Sequence, residues 1–312
     1  MSNGGNSDVK TLIFAYMSLL DYILPVVFFI GLFWSISKLD FFKSGPFSTR
    51  SLQLAFVIRV AMGFVLFLIY SIYYPSRQDA DTFKYFDDSR YMHEAIWTNP
   101  IDYFKMLFGI NCNTEYFNTH YFNNMSNWVR SYDNGLFNDN RLVIRINAFF
   151  RLFSFGNYHV HSIVLSYLAF MGSFSLSKVF YKVSHSKTLS YIAVFLVPSL
   201  VFWSSGILKE AVLLSALGFF AYHFYQLFGS EKRWQNYAMV IVMSCVLIVL
   251  KLYVFMAFFP AIVIWLIITK WKRSFWVYFF MYLGFISIAT LLGELNPRYD
   301  FVNLIVDKQK QF

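Results

Sequence analysis

The most polar stretch of this apolar chain is residues 76–94, SRQDADTFKYFDDSRYMHE, which directly follow a long apolar run at 51–74. It contains five of the chain's 17 acidic residues: Asp79, Asp81, Asp87, Asp88 and Glu94. A hydrophobic run that ends in a group of carboxylates is typical of a chain that leaves the membrane. We therefore predict that this stretch begins the active-site loop of a polytopic membrane enzyme.

The overall composition excludes an ordinary soluble domain. Of the 312 residues, 58% are hydrophobic and only 14% are charged, against about 25% charged residues in typical soluble domains. The net charge of +9 comes from basic residues scattered between apolar runs, as in cytoplasmic loops, and not from a basic nucleic-acid surface. The lipid bilayer is therefore an expected partner, and nucleic acid is not.

Eight apolar runs approach the ~20 residues that a helix needs to cross a bilayer. They are 11–35, 51–74, 158–177, 188–203, 210–228, 236–250, 252–269 and 275–293. These runs predict an all-α fold, a polytopic transmembrane helix bundle of about eight spanning helices. The whole chain, 1–312, is predicted to form a single integral membrane domain.

Basic residues set the predicted orientation of these helices. Eleven Lys or Arg residues, against two acidic residues, lie in the junctions 36–50, 178–187, 229–235 and 270–274. The positive-inside rule assigns these junctions to the cytoplasmic side. The loop 75–157, the turn near 204–209, the Lys251 junction and the tail 294–312 then face outward, in what we expect to be a bacterial inner membrane.

The loop 75–157 is predicted to carry amphipathic helices. Residues 82–97 and 100–109 mix apolar and charged positions at helical spacing, which predicts short helices that lie in the interface plane with their apolar faces in the headgroups. Residues 111–140 predict an irregular cap, and helical spacing resumes at 141–151.

Two charges lie inside the first pair of predicted helices, Asp21 and Arg59. An isolated charge in lipid costs a few kcal/mol. The interpretation that we adopt is an ion pair that locks the two helices together, and the alternative is a proton or substrate path.

The acidic pair Asp79 and Asp81 is the first candidate for chemistry. In extended backbone, residues i and i+2 project to the same face, so one carboxylate can act as a general base while both hold a divalent cation, Mg²⁺ or Mn²⁺. The structural alternative is that Asp81 caps a helix that begins at Thr82.

The order of these features resembles that of the multi-spanning glycosyltransferases of the C superfamily (GT-C). The likeness covers roughly residues 51–293, with QDADTFKYF at 78–86 as its motif. The resemblance implies a polyprenyl-phosphate-linked sugar as donor and an Asp in the first outer loop as general base. Asp81, followed by Tyr85 and Phe86, matches that acid-then-aromatic pattern best, and Asp79 is the second choice.

A second group of candidates lies in VPSLVFWSSGILKE, residues 197–210. Pro198 and Gly206 predict a broken helix, and Lys209 and Glu210 begin the next one. A lysine at a helix N-terminus suits a lipid-linked phosphate; the alternative is a charged turn that anchors a helix end. The string resembles one found in bacterial membrane proteins of polysaccharide assembly.

The remaining substrate-binding candidates are polar residues assigned to the outer side. Arg141, Arg145 and Lys251 are further phosphate partners, with snorkelling to the headgroups as the alternative for Lys251. The set is completed by residues of the acidic stretch, which are Tyr85, Asp87 and Asp88.

Three functions remain open from the sequence. The first is transfer of a hexosyl or pentosyl group from a polyprenyl-phosphate donor to a hydroxyl of a glycan, lipid or protein acceptor at the cell envelope. The second is a polysaccharide repeat-unit polymerase, which would depend on Arg141 and Arg145 more than on Asp79 and Asp81. The third is a non-catalytic subunit or a transporter. The short polar tail 294–312 is consistent with a minimal enzyme or with a partner subunit.

Overall fold

The computed structural model describes residues 19–128, 139–228, 233–271 and 275–295. Within these ranges the chain is helical and contains no strand, which confirms the predicted all-α class. Contacts group the chain into two compact units, Met1–Met243 and Ser244–Phe312.

Eight helices lie between residues 19 and 184 of the described chain. They are α1 (Leu19–Lys38), α2 (Asp40–Lys43), α3 (Thr49–Tyr73), α4 (Asp81–Thr98), α5 (Pro100–Phe108), α6 (Glu115–His120), α7 (Asp139–Ser154) and α8 (Tyr158–Ser184). Short 3-10 turns at Arg77–Asp79 and Phe122–Asn124 separate some of them. The helices that follow are α9 (Lys187–Tyr191), α10 (Pro198–Trp203), α11 (Lys209–Gln226), α12 (Trp234–Trp271) and α13 (Phe275–Leu295).

Four helical segments in the described ranges are long and apolar enough to cross a membrane. They are Asp21–Lys38, Thr49–Tyr73, Tyr158–Ser184 and Trp234–Lys251. They coincide with four of the eight apolar runs, which indicates a helical membrane protein.

The start of α8 is tied to the start of α1 by one side chain. The Oδ1 of Asn157 accepts a hydrogen bond from the N–H of Val160 at 3.1 Å, which caps α8, while its Nδ2 donates to the carbonyl oxygen of Asp21 at 2.9 Å. The ring of Phe67, near the end of α3, lies 5.1 Å from that of Tyr158 at the start of α8, so these three helix ends lie on one side of the bundle. We call it the loop side.

Arg59 is buried in α3, and its partners differ from the predicted one. Its guanidinium donates to the Oγ of Ser173 at 2.9 Å, to the carbonyl oxygen of Ser204 at 3.4 Å and to the Oγ of Ser204. The predicted ion pair with Asp21 is wrong. Asp21 lies at the loop-side end of α1, whereas Arg59 lies fourteen residues before the loop-side end of α3, about 21 Å along that helix.

Helices α8 and α11 approach each other closely at two glycines. A Cβ added to Gly218 would overlap the carbonyl oxygen of Gly172, and a Cβ added to Gly172 would overlap the backbone of Ser215. Only glycine allows this backbone contact, because any side chain there would push the helices apart.

The Gly218→Ala substitution is therefore expected to lower the free energy of unfolding by about 1–3 kcal/mol, because overpacking forces a backbone shift. Thermal unfolding of purified protein in detergent measures the effect. Gly31→Ala in α1 is the matched control, since nothing lies within 4 Å of its added Cβ and alanine favours a helix. An unchanged melting temperature for Gly218→Ala would contradict the close contact.

The polar loop folds into a small helical layer in which α4 packs against α7. Phe83, Phe86 and Met92 of α4 are buried inside the protein. The prediction that the apolar face of residues 82–97 lies in the headgroups is therefore wrong, because the protein's own core uses that face. The predicted cap, 111–140, contains the short helix α6 and the buried Trp128, and its residues 129–138 lie outside the described ranges.

Candidate functional site

The chain breaks into a buried turn between α10 and α11, as Pro198 and Gly206 predict. A π-helical turn at Ile192–Leu196 precedes α10, and Gly206 has a φ of +79°, which glycine adopts without strain. The Oγ of Ser166 accepts a hydrogen bond from the N–H of Gly206 at 3.1 Å. Protein groups thus satisfy the backbone that the break exposes, as membrane depth requires.

This turn lies deeper than the sequence analysis predicts. A Cβ on Gly63 would lie 3.3 Å from the backbone nitrogen of Gly206. Gly63 and Ser166 lie about 15 and 12 Å along α3 and α8 from their loop-side ends, at 1.5 Å per residue. The turn predicted for the outward-facing side is therefore buried inside the bundle, because α3 and α8 hold it there.

Arg59 stabilises this turn through hydrogen bonds to Ser204. Its bond to the carbonyl oxygen of Ser204 supplies a positive charge just past the C-terminal end of α10, where helix carbonyls lack partners. Ser204 and Ser205 are both buried, and their hydroxyls donate to carbonyl oxygens one turn earlier, those of Leu200 and Val201. The start of α11 is thus fixed by a fully packed polar turn.

Lys209, the first residue of α11, contacts the helical layer that the polar loop 75–157 forms, which we call the loop domain. Its Nζ lies 5.9 Å from the centroid of the Tyr85 ring, within the range of a cation–π contact. Tyr85 is buried, and its hydroxyl donates to the Oδ1 of Asn140 at 3.1 Å. The Nδ2 of Asn140 in turn donates to the carbonyl oxygen of Asn127 at 3.3 Å. Two predicted binding residues, Lys209 and Tyr85, therefore meet.

Two predicted carboxylates lie near the same junction. Asp81 and Glu210 both interact electrostatically with the hydroxyl of Tyr70, one turn from the loop-side end of α3. The side chain of Asp81 is 46% exposed, and its Oδ1 lies 3.8 Å from the Nζ of Lys84, so this carboxylate is open to solvent. We call Tyr70, Asp81, Tyr85, Lys209 and Glu210 the junction site.

Asp79 is arranged differently from Asp81. Asp79 ends an exposed 3-10 turn and Asp81 is the first residue of α4, so only Ala80 between them is extended. The extended backbone assumed for a shared face is therefore absent. The capping alternative is also wrong, because Ala80 occupies the N-cap position and Asp81 lies in the first turn, where its charge suits the helix dipole.

Asp87 and Asp88 hold the loop domain together, which was not predicted. Asp87 accepts two hydrogen bonds from Arg77, at 2.6 and 3.0 Å. Asp88 is buried and accepts from the backbone N–H groups of Ser126 at 2.9 Å and Asn127 at 2.7 Å. Burial raises the pKa of Asp88 to about 6.

The pKa of Asp88 predicts a measurable pH dependence. Because the folded-state pKa of Asp88 lies above the usual 3.8, the folded protein holds a proton that the unfolded chain releases between pH 4 and 6. The free energy of unfolding therefore falls as pH rises through that window. Wild-type protein should gain thermal stability relative to Asp88→Asn when pH falls from 7.5 to 4.5. Asp87→Asn removes an exposed ion pair and only a smaller contribution to the raised pKa of Asp88, so its slope should lie close to that of wild type. Equal slopes in all three proteins would contradict the assignment.

Arg141 and Arg145 are engaged by the protein itself. Their guanidinium carbons lie 5.1 and 5.3 Å from the ring centroid of Trp128. The Nε of Arg141 donates to the carbonyl oxygen of Trp128 at 3.1 Å, and that of Arg145 donates to Met106 at 2.8 Å. Burial also lowers the pKa of Arg145. Both arginines thus have structural contacts that sequence spacing did not indicate.

Sequence reasoning missed other residues that build this region. Arg151 is buried and donates to the Oγ of Ser89 at 2.7 Å and to the carbonyl oxygen of Phe86 at 2.6 Å, which fixes α7 to α4. Asn140 and Tyr70 were also missed. The available signal was a polar residue within an apolar helical pattern, which requires a hydrogen-bond partner when buried.

Lys251 lies in the second unit, Ser244–Phe312. It sits at a break within α12, where its backbone adopts φ −151° and ψ 85°. Its role as a phosphate partner stays a prediction.

Comparisons with protein-family models, with curated proteins and with solved structures find no match. Functional inference therefore depends on the junction site. Among the described residues, no group of three or more His, Cys, Asp or Glu side chains is arranged to hold a metal ion. A cation held by Asp79 and Asp81 stays a prediction.

Proposed function

We propose that the protein is a membrane glycosyltransferase that takes its sugar from a polyprenyl-phosphate donor. The observation that supports this most is the contact between Lys209 and Tyr85, 5.9 Å from Nζ to ring centroid. It joins a helix N-terminus at membrane depth to the loop domain that begins at Asp81. A phosphate attached to a lipid arrives at this depth, and a helix N-terminus with an ammonium group favours an anion.

The proposed reaction is one displacement at the anomeric carbon. The acceptor hydroxyl attacks that carbon, the bond from the carbon to the phosphate oxygen breaks, and the carboxylate of Asp81 takes the hydroxyl proton. Lys209 offsets the charge that develops on the departing phosphate. The exposed side chain of Asp81 is accessible to an acceptor from the aqueous side. A single displacement inverts the configuration at the sugar.

The number of spanning helices and their orientation are part of the same proposal. About eight helices span a bacterial inner membrane, and the loop 75–157 and the tail 294–312 face outward. The four segments that meet the length and hydropathy requirement, together with the helices Lys209–Gln226 and Phe275–Leu295, account for six of these helices. A partner subunit is a further element of the proposal, and a cation, Mg²⁺ or Mn²⁺, held by Asp79 and Asp81 is an alternative role for that pair.

Two alternatives receive different support. A repeat-unit polymerase receives less support, because Arg141 and Arg145 each use one donor on the protein's own carbonyl oxygens, those of Trp128 and Met106. A transporter is favoured by the broken helix at 192–208, since transporters bind substrate at such breaks. Transporter breaks usually occur in pairs related by a repeat. The other break in the described residues, at Lys251 within α12, is a single non-helical residue and does not repeat the arrangement at 192–208.

Transfer of radiolabelled sugar distinguishes these functions. Purified wild-type protein in lipid vesicles is offered a panel of polyprenyl-phosphate sugars with a soluble glycan acceptor. Glycosyl transfer predicts labelled acceptor with inverted configuration. Label that reaches the vesicle interior without any new glycosidic bond would favour the transporter and contradict the proposal.

A further inference from the structure

Helix α5 presents an apolar face that the protein leaves uncovered. Ile101, Phe104 and Phe108 are 66%, 54% and 68% exposed, and their spacing of three and four residues puts them on one face. On the opposite face, Tyr103 and Met106 are fully buried against the loop domain.

The end of α7 has a similar exposed face. Phe149, Leu152 and Phe155 are exposed, again at a spacing of three residues. Helix α5 is held beside α7 by two hydrogen bonds, from the Tyr103 hydroxyl to the carbonyl oxygen of Ala148 at 3.4 Å and from Arg145 to Met106 at 2.8 Å. The two apolar faces therefore belong to adjoining helices.

A contact with α1 fixes the depth of this surface. The ring of Phe153 in α7 stacks on that of Phe28 in α1, with centroids 6.0 Å apart. Phe28 lies seven residues past Asp21, about 10 Å along the helix at 1.5 Å per residue. The neighbouring Val26 and Val27 of α1 are more than half exposed, as lipid-facing residues of a spanning helix are.

We propose that α5 and the end of α7 are embedded in the acyl chains of the loop-side leaflet. We call the exposed residues that form this surface the leaflet face; they are Ile101, Phe104, Phe108, Phe149, Leu152 and Phe155. The loop domain is then partly immersed in the bilayer through two helices that do not cross it.

Lipid is the occupant because the leaflet face continues directly into the exposed face of α1. A protein partner that covered the leaflet face would also have to follow α1 about 10 Å below its loop-side end. Amphipathic helices with phenylalanine and leucine on one side bind the boundary between headgroups and acyl chains in this way. This inference is independent of the proposed transfer reaction, since it concerns where the domain sits and not what it catalyses.

Spin-label accessibility tests the proposal on the full chain in lipid nanodiscs. Nitroxides are attached at Ile101→Cys, Phe104→Cys and Phe155→Cys in a Cys245→Ser background, because Cys245 is exposed while Cys112 is buried. Collision rates with oxygen, which partitions into lipid, and with a water-soluble nickel chelate are then compared. The parent without added cysteine reports any labelling of Cys112, and Asn118→Cys on the exposed polar side of α6 is the matched control.

The expected result is an oxygen-to-nickel collision ratio several-fold higher at the three leaflet-face positions than at Asn118→Cys. Ratios equal to that of the control would mean that the face is in water and would overturn the proposal. Exclusion of both reagents would mean that protein covers the face and would overturn it as well.

Discussion

Replacing Asp81 by Asn is expected to abolish sugar transfer while the protein stays folded. A general base in the correct position contributes about 10²–10⁴-fold to a rate, and an amide cannot accept the acceptor's proton. Asp81 is half-exposed at the start of α4, so the substitution removes no buried contact. Initial rates of transfer from a polyprenyl-phosphate sugar measure the loss.

Asp79→Asn is the matched control for Asp81→Asn. Asp79 lies two residues earlier on an exposed 3-10 turn, carries the same kind of side chain and shares the neighbour Ala80. It should retain most of the transfer rate. If both variants lose activity equally, the pair acts as one cation site, and if neither does, Asp81 is not the base.

Replacing Arg59 by Leu is expected to destroy the packed turn and, with it, most folded protein. The change leaves the carbonyl oxygen of Ser204 and the hydroxyl of Ser173 without their donor in the bundle interior. Each unsatisfied buried group costs about 1–3 kcal/mol, which is a large fraction of the stability of most proteins. The yield of monodisperse protein after extraction in detergent and its melting temperature measure the effect.

Two further variants separate the charge of Arg59 from its geometry. Arg59→Lys keeps the charge but reaches fewer acceptors at once, so an intermediate loss of stability is expected. Arg50→Leu, at the exposed start of the same helix, removes a positive charge without removing a buried donor and should be close to wild type. A fully stable Arg59→Leu protein would show that the turn does not need this donor.

Hydropathy and residue chemistry were sufficient to predict the class of fold from the sequence. Runs of apolar residues identified the four long spans, and Pro198 with Gly206 identified the break before α11, because both signals are local. The depth of that break was not predictable. It depends on Gly63 and Ser166, which are about 140 and 40 residues away in the chain and meet the turn only after the bundle packs.

The roles of charged residues were predicted less well, for the same physical reason. Asp87 and Asp88 are adjacent and identical in type, yet one forms an exposed ion pair and the other is buried against the backbone of Ser126. Arg59 was assigned to Asp21, the other charge inside the first pair of helices, whereas serine hydroxyls and a carbonyl oxygen accept its hydrogen bonds. Burial and partner choice arise from tertiary contacts that sequence spacing does not encode.

The most direct test of the account is binding of a polyprenyl monophosphate to the start of α11. Native mass spectrometry or a radioligand assay compares wild type, Lys209→Ala, Lys209→Arg and the control Lys43→Ala, which removes an exposed lysine paired with Asp40. A hydrogen bond to a charged group contributes about 1.5–3 kcal/mol, so Lys209→Ala should bind at least about tenfold more weakly, while Lys209→Arg and Lys43→Ala bind nearly as wild type. Equal binding by wild type and Lys209→Ala would contradict a lipid-phosphate site at the junction.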